Sequence, residues 1–251
     1  RERGGHAISY YQFNLEQHTY SLNGENKSQV AVILPTLNEA EGLAATVMDI
    51  KQHLDDPYIL VVDGNSTDET VQVAKALGLD VIFQDGVGKG NAIAKAIKSL
   101  KRNPEYVVFI DADYTYPAEY IPIMIRILDT QPDVGMVCGN RFKKKISLSS
   151  LPNLFYFGNR LLAFTHKLIN GVGMQDPLTG LRAIRWKIIR GWQPKSEGFD
   201  VEAEMNYYVE KQGYRIVEIP IHYRRRLGEK KLKLRHGLTI LRRMLTEALL
   251  L

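Results

Sequence analysis

The stretch VVFIDADYTYPAEYI, residues 107–121, opens as an apolar run and then places two aspartates, Asp111 and Asp113, on either side of one alanine. The apolar run predicts a strand that is buried on both faces. Because residues i and i+2 of an extended backbone face the same way, we expect the two carboxylates to converge at the strand end. Converging carboxylates repel unless a proton or a cation lies between them. The stretch therefore predicts a site for a hard divalent cation, Mg²⁺ or Mn²⁺, at the rim of the domain.

Similar apolar runs recur along the first 140 residues, at 30–35, 58–63, 80–85, 106–111 and 134–139. Amphipathic stretches that predict helices lie between them, at 39–54, 66–77, 89–100 and after Pro117. Ser66 and Glu69 have the spacing of a capping box at the start of the second helix. This alternation predicts an α/β domain with a mostly parallel central sheet and helices on both faces.

The ends of the predicted strands indicate where a ligand binds. In parallel sheets of this kind, ligands bind outside the carboxyl ends of the strands. Here those ends are Pro35, Asp63, Asp85, Asp111 and Gly139. We therefore expect the functional site along this edge of the sheet.

The second half of the chain is less regular. Residues 151–172 are aromatic and aliphatic, and they predict either a helix at a membrane interface or a helix packed in the core. A loop and strand at 176–186, a helix at 197–213, a strand at 215–223 and an amphipathic helix at 238–251 follow. We divide the chain into an N-terminal extension (1–28), a catalytic domain (29–223), and a basic segment with a C-terminal helix (224–251).

Composition narrows the class of protein. The 251 residues are 45% hydrophobic and 24% charged, which is typical of one large globular domain. Cys138 is the single cysteine, which excludes a disulfide framework and fits a reducing compartment. No run reaches the roughly 18 apolar residues of a membrane span, so we expect a soluble or membrane-peripheral protein. We hypothesise that the final Ala-Leu-Leu-Leu leads into an anchoring segment.

Positive charge is concentrated near the end of the chain, where residues 224–243 carry nine Lys and Arg residues and one glutamate. Such a cluster is typical of proteins that bind phosphates, whether in nucleic acid, anionic lipid headgroups or a phosphorylated substrate. A solvated basic surface is the alternative.

Five motifs occur in order: LPTLNEAEGL, VVDGNSTDET, GKGNAIAKAI, DADYTYP and DPLTGLRAI. Together they resemble family 2 glycosyltransferases with the GT-A fold, most closely the dolichyl-phosphate mannose synthase-like enzymes that act on polyprenyl phosphates. DGNSTDET and GKGNA resemble the archaeal enzymes that load dolichyl phosphate with the first sugar of an N-glycan. The resemblance covers residues 30–237.

The resemblance implies an inverting, metal-dependent transfer of one sugar from a nucleotide-diphosphate sugar to dolichyl or polyprenyl phosphate at the cytoplasmic membrane surface. UDP-glucose or UDP-N-acetylglucosamine is the favoured donor, with GDP-mannose as the alternative. The implied nucleotide-binding residues are Pro35, Leu37, Glu39, Asp63, Asp85, Lys89 and Asp111. The implied metal ligands are Asp111 and Asp113.

The resemblance also assigns an acceptor side. Asp113 and Arg141 are the implied catalytic residues. The acceptor phosphate would contact Arg141, Arg225 and Lys231, and the sugar and acceptor side would contain Asp176 and Glu204. Leu227 and Lys230 depart from the pattern of the group, and the sequence leaves open whether Arg224 or Arg226 substitutes. The alternative roles are helix caps for Asp63 and Asp85 and a surface charge for Lys89.

Four other functions fit the sequence less well. A processive polysaccharide synthase would carry a Q-x-x-R-W motif and membrane helices, and RAIRW lacks the glutamine. A sugar-nucleotide pyrophosphorylase would have a glycine-rich basic loop after the first strand. A nucleic-acid-binding domain would leave the strand-end carboxylates unexplained, so we expect no nucleic-acid partner. A degraded glycosyltransferase kept as a scaffold would not need the intact aspartate pair.

Overall fold

The computed structural model describes residues 30–142, 163–165, 167–168, 171–229, 239–243 and 245–246. Within them one sheet contains the strands β1 (Val30–Thr36), β2 (Tyr58–Asp63), β3 (Asp80–Phe83), β4 (Tyr106–Phe109), β5 (Val134–Asn140), β6 (Arg182–Arg185) and β7 (Arg215–Pro220). The helices with defined bounds are α1 (Ala40–His53), α2 (Thr70–Ala76), α3 (Lys89–Ser99), α4 (Ile121–Thr130), α5 (Trp186–Ile189) and α6 (Val201–Lys211). A 3₁₀ turn, Ala118–Tyr120, precedes α4.

The sheet has the strand order β3-β2-β1-β4-β6-β5-β7. The pairs β3–β2, β2–β1, β1–β4 and β5–β7 are parallel, whereas β6 runs antiparallel to both β4 and β5. The predicted mostly parallel sheet is confirmed, with β6 as the exception. Because β1 to β4 are mutually parallel, their carboxyl ends lie along one edge, where the candidate site residues cluster.

Alternate residues of the central strands enter two separate cores. In β1, Val32 and Leu34 pack on the face covered by α1 and α4, and Ala31 and Ile33 pack on the face covered by α3 and α6. Both sets are almost fully buried. This explains why the central strands are continuously apolar in sequence, since both of their faces are covered.

Two local expectations were wrong. Helix α2 begins at Thr70 without a side-chain cap, and Ser66 instead donates its hydroxyl to Asp63 at 2.6 Å. Strand β4 ends at Phe109, so the aspartate pair lies beyond the strand, with Asp113 in a turn. Tyr114, which follows, has a φ of 67°. The pair is therefore positioned by a turn and not by the alternation of an extended strand.

Several predicted segments fall wholly or partly outside the described residues. These are the N-terminal extension, most of residues 151–172, and the basic stretch 230–238 with Lys231. Within the described part of the chain, no helix combines the length and the apolar character that crossing a bilayer requires.

Candidate active site

The two aspartates beyond β4 have different surroundings. The Asp111 side chain is 32% exposed, and its Oδ1 accepts a hydrogen bond from Lys89 Nζ at 2.6 Å. Asp113 is 2% exposed. Its Oδ1 accepts hydrogen bonds from the backbone N–H of Thr115 at 3.1 Å and from the Thr115 hydroxyl at 2.5 Å. Its Oδ2 accepts a hydrogen bond from Arg226 Nη1. Each aspartate is thus paired with one cation.

Each of these cations also contacts a second carboxylate. Lys89 Nζ lies 2.7 Å from Glu202 Oε1, and Arg226 Nη2 donates to Glu39 Oε1. The site therefore contains two clusters in which one cation contacts two carboxylates, Asp111–Lys89–Glu202 and Asp113–Arg226–Glu39. With all groups ionised, four carboxylates and two cations leave a formal charge of −2.

The paired cations make the two aspartates electrostatically unequal. Burial and the charge of Asp111 raise the pKa of Asp113, although Arg226 and Thr115 oppose this shift. Burial also acts to raise the pKa of Asp111, but the charge and hydrogen bond of Lys89 outweigh it and hold that pKa below its usual value. Burial disfavours charge on Lys89, yet Asp111 and Glu202 hold its pKa above its usual value. Lys89 is therefore a charged ammonium, which corrects its alternative interpretation as a surface charge.

The start of α3 holds Lys89 in place. The backbone N–H groups of Gly90 and Asn91 donate to the carbonyl of Glu197, at 2.8 and 3.3 Å. A Cβ atom on Gly90 would lie 1.9 Å from the carbonyl oxygen of Ser196, so only glycine permits this approach. The GKGN motif therefore packs the α3 N-terminus against the loop before α6, and this contact brings Lys89 to Glu202.

A glycine also leaves space around Asp111. A Cβ atom on Gly180 would lie 2.3 Å from Asp111 Oδ2. The Gly180 N–H donates to the Tyr116 hydroxyl at 2.7 Å, which fixes the backbone at this point. The DPLTG motif thus provides a side-chain-free wall beside the carboxylate.

The aspartate pair fits a divalent cation whose remaining ligands come from substrate or water. Among the described residues, no group of three or more His, Cys, Asp or Glu side chains is arranged to hold a metal by itself. Mg²⁺ and Mn²⁺ are often bound by one or two carboxylates together with substrate phosphates. The oxygen ligands and the formal charge of −2 both agree with such a cation.

Arg141 and Asp176 form a buried bidentate pair. Arg141 Nε and Nη2 donate to the two oxygens of Asp176 at 2.7 and 2.6 Å, and Asp176 is fully buried. Burial opposes charge on Arg141, but Asp176 holds its pKa well above the usual value. The guanidinium also lies 5.5 Å from the ring centroid of Tyr223. Because Nη1 takes no part in the pair with Asp176, Arg141 keeps donors for another anion.

The ends of β1 and β2 form the next part of the edge. Asp63 is fully buried and accepts hydrogen bonds from the Ser66 N–H at 2.8 Å and the Thr36 hydroxyl at 3.1 Å. It therefore orders the loop after β2 and caps no helix. Pro35 is partly buried within β1, and Leu37 just beyond it is 41% exposed. Their predicted contact with a nucleotide remains a prediction.

Asp85 lies at the far end of this edge. Its side chain is 78% exposed and pairs with Lys95 at 3.0 Å. Strand β3 is three positions from β4 in the sheet, which corresponds to roughly 14 Å at the usual strand spacing. Asp85 is therefore not part of the charge cluster around Asp111, and its predicted role at the nucleotide stays open.

The predicted residue Glu204 does not contact Lys89, and Glu202 on the same helix contacts it instead. Glu204 accepts backbone hydrogen bonds from Lys195 and Ser196 at 2.8 and 2.7 Å, whereas Glu202 contacts Lys89. Positions two apart on a helix point in directions about 200° different, so only one of the two glutamates can face Lys89. Glu202 was not among the residues predicted from the sequence.

The side chains of the basic residues 224–226 alternate in direction. Arg224 pairs with Asp49 at 2.8 Å and Arg226 pairs with Asp113 and Glu39, whereas Arg225 is exposed. The backbone N–H groups of Arg224 and Leu227 donate to the carbonyls of Thr115 and Asp113, at 2.9 and 3.1 Å. Residues 224–227 are thereby attached to the turn that carries Asp113. Neighbouring side chains of an extended segment point in opposite directions, and this alternation was the sequence signal that distinguishes Arg226 from Arg225.

Comparison with known proteins gives consistent matches. The model of Glycosyl transferase family 2 matches residues 31–190. The dolichyl-phosphate hexose transferase of Haloferax volcanii is 33% identical over 205 residues, covering 81% of this chain and 86% of that protein. Glycosyltransferase AglJ of the same organism is 33% identical over 196 residues, covering 77% of this chain and 62% of that protein.

Among solved structures, glucosyl-3-phosphoglycerate synthase from Mycobacterium tuberculosis, in complex with Mn²⁺, UDP and glucosyl-3-phosphoglycerate, has a similar fold. The TM-score is 0.69 at 20% sequence identity, and the match covers 87% of this chain and 79% of that chain. With the mostly parallel seven-stranded sheet, this similarity confirms the predicted GT-A fold.

Proposed function

The chain belongs to glycosyl transferase family 2, and from this premise we propose that it moves one sugar from a nucleotide-diphosphate sugar to dolichyl or another polyprenyl phosphate. Membership of the family makes the chain a glycosyltransferase, as the sequence predicted. The observation that carries the proposal is the meeting of a carboxylate pair, Asp111 and Asp113, with the cations Lys89, Arg226 and Arg141 beyond one strand. The carboxylates can bind a divalent metal ion that carries the donor diphosphate, and the cations can bind phosphate groups directly.

The donor would lie along the edge from β3 to β4. The nucleoside would contact the loop after β1 and the ends of β2 and β3, and its diphosphate would reach Asp111 and Lys89. A divalent cation held by Asp111 and Asp113 would neutralise the charge that develops on the leaving nucleoside diphosphate. The solved synthase with the similar fold is in complex with Mn²⁺ and UDP, which supports this use of the edge.

The acceptor explains why the site needs no general base. A polyprenyl phosphate is already an anion, so one of its oxygens can attack the anomeric carbon without losing a proton. The oxygen attacks the face of the anomeric carbon opposite the nucleoside diphosphate. The new bond forms as the old bond breaks, the leaving group takes the electron pair of that bond, and the anomeric configuration is inverted. Arg141 would hold the acceptor phosphate with its Nη1 group, and Arg226, Arg225 and Lys231 would add positive charge. The name of the Haloferax volcanii relative, a dolichyl-phosphate hexose transferase, supports this acceptor.

A donor panel tests this function. The chain is incubated with dolichyl phosphate, Mn²⁺ and either UDP-glucose, UDP-N-acetylglucosamine or GDP-mannose, and the lipid products are resolved. We expect one of the UDP-sugars to give a dolichyl phosphate sugar, and we expect EDTA to abolish the product because the carboxylate pair then lacks its cation. Product from GDP-mannose alone would replace the favoured donor with the alternative. No lipid-linked product from any donor, in a preparation that binds Mn²⁺, would refute the proposal.

We further propose that the protein works as a peripheral protein at the cytoplasmic face of a membrane, in N-glycosylation or cell-surface glycan synthesis. Phe164 and Leu168, which belong to the helical residues 163–165 and 167–168, are 63% and 73% exposed, whereas neighbouring Ala163 is buried. Side chains four residues apart lie on the same side of a helix. Two exposed apolar residues on one side suit insertion at a lipid interface.

Vesicle binding checks this surface. The Phe164→Ser/Leu168→Ser variant is expected to bind anionic vesicles about tenfold more weakly, because it loses the burial of two apolar side chains. Vesicle co-sedimentation measures the change, with Met48→Ser, another exposed apolar site, as the control. Equal binding of the double variant and the unsubstituted chain would rule out this surface.

The names of the two Haloferax volcanii relatives give the nucleic-acid alternative no support. Within residues 224–243, the described side chains of Arg224, Arg226 and Arg243 pair with acids of the domain. These three guanidinium groups are therefore directed at the protein and not arranged as an outward surface for a polyanion.

A further inference from the structure

The Lys89 ammonium is shared between a proposed metal ligand and a second, deeper carboxylate. It lies 2.6 Å from Asp111 Oδ1 and 2.7 Å from Glu202 Oε1, with only 12% of its side chain exposed. Glu202 is 4% exposed. Its other oxygen, Oε2, is buried and has no hydrogen-bond partner in the described structure. A buried carboxylate oxygen without a donor is uncommon and calls for an explanation.

Binding of a divalent cation at Asp111 would disturb this arrangement. An ammonium and a divalent cation repel each other strongly at the short distances of a shared carboxylate. Because the ammonium lies on Asp111 Oδ1, we expect it to move away from this carboxylate when the metal binds. If Asp111 were the only carboxylate beside it, moving this buried ammonium away would be strongly unfavourable and would oppose metal binding.

Glu202 provides the missing partner. Because its Oε1 already contacts Lys89 and its Oε2 has no donor, both oxygens are available to the ammonium as it leaves Asp111. We propose that Glu202 is a positioning residue that retains Lys89 beside the carboxylate pair when Asp111 binds a divalent cation, so that the ammonium faces the diphosphate of the donor. This inference rests on the proposed function and extends it to a residue with no assigned role.

The cluster Asp113–Arg226–Glu39 has the same arrangement. Arg226 contacts Asp113 and also Glu39, so the guanidinium keeps one carboxylate when Asp113 exchanges it for metal. The repetition supports a role in exchange, since neutralising each aspartate needs one cation but does not require that cation to contact a second carboxylate.

Binding of Mn²⁺ without nucleotide, measured by electron paramagnetic resonance of the free ion, tests the proposal in a double-mutant cycle. Glu202→Gln is expected to weaken Mn²⁺ binding about tenfold, because Lys89 then stays on Asp111. Lys89→Met removes the competing cation and should strengthen binding. In the Lys89→Met background, Glu202→Gln should change the affinity by less than about twofold. Equal effects of Glu202→Gln in both backgrounds would mean that only its charge matters and would overturn the proposal.

Two further variants keep the test decisive if Lys89→Met does not fold. Glu202→Asp keeps the charge but shortens the side chain, so retention of Lys89 predicts a loss close to that of Glu202→Gln, whereas charge alone predicts unchanged binding. Glu210 lies on the same helix as Glu202, and its carboxylate has no contact with Lys89. The Glu210→Gln variant should therefore leave Mn²⁺ affinity unchanged.

A second readout uses UDP binding at saturating Mn²⁺. It should weaken in Glu202→Gln, since the ammonium no longer faces the diphosphate, and unchanged UDP affinity would also contradict the proposal. Because neither assay involves sugar transfer, this inference can fail while the donor panel still succeeds.

Discussion

Asp113→Ala is expected to abolish sugar transfer, lowering turnover by at least about 1,000-fold. The substitution removes one of the two carboxylates that would hold the metal on the donor diphosphate. It also leaves Arg226 with Glu39 as its remaining carboxylate. Turnover is measured with the active donor of the panel, dolichyl phosphate and saturating Mn²⁺.

The Asp113→Ala variant is also expected to be less stable than the unsubstituted chain. From the sequence, Asp113 was expected at the rim of the domain, but the structure buries it to 2% exposure and bonds it to Thr115. Removing a buried, bonded carboxylate is expected to lower the free energy of unfolding by about 1–3 kcal/mol. Asp113→Asn keeps the shape of the side chain and separates the two effects. Urea unfolding measures the stability of both variants.

Glu119→Ala is a matched control, because Glu119 is an exposed carboxylate six residues further along the chain. It should retain normal turnover. If Asp113→Asn is folded and transfers sugar at a nearly normal rate, the proposed metal site is wrong. If both the Ala and Asn variants are folded and inactive and the control is active, the site stands.

Arg141→Met is expected to lower kcat/KM for the polyprenyl phosphate by about 100-fold or more, because the acceptor phosphate loses a charged donor in a buried setting. It also leaves the fully buried Asp176 without its bidentate partner. Breaking a buried pair of this kind costs about 3–5 kcal/mol of stability. Steady-state kinetics with varied acceptor and with varied donor distinguish the two substrates.

Arg141→Lys keeps the charge but cannot reproduce the bidentate geometry. It should fold better than Arg141→Met and still show a raised KM for the acceptor, with a smaller change in KM for the donor. Arg190→Met, at an exposed arginine, serves as the control. A larger rise in KM for the donor than for the acceptor would place Arg141 at the donor, and an equal rise would contradict a specific role at the acceptor.

The strands and most helices could be predicted because their signals are local. β2 coincides with its predicted run at 58–63, and α1 differs from its predicted bounds by one residue at each end. The start of α2 could not be predicted in this way, since Ser66 had two possible partners. The spacing to Glu69 suggested a cap, but the end of β2 brings Asp63 close enough to bind it first.

The candidate site was partly predictable for the same reason. The residues Asp111, Asp113, Lys89 and Arg141 belong to motifs that the sequence displays. Glu202 and Arg226 were not singled out, although Glu204 and Arg225 next to them were. Choosing between neighbours requires the direction of each side chain, which depends on the exact phase of a helix or an extended segment.

By itself, the sequence determined the alternating strands and helices, the two-sided burial of the sheet and the carboxylate pair after β4, because apolar runs and motif spacing are carried by adjacent residues. Only the tertiary structure decided which charges meet. Lys89 reaches Asp111 across 22 positions, and Arg226 reaches Asp113 across 113 positions. Such contacts arise from the strand order and from the docking of residues 224–227 on the turn after β4, which no local pattern encodes.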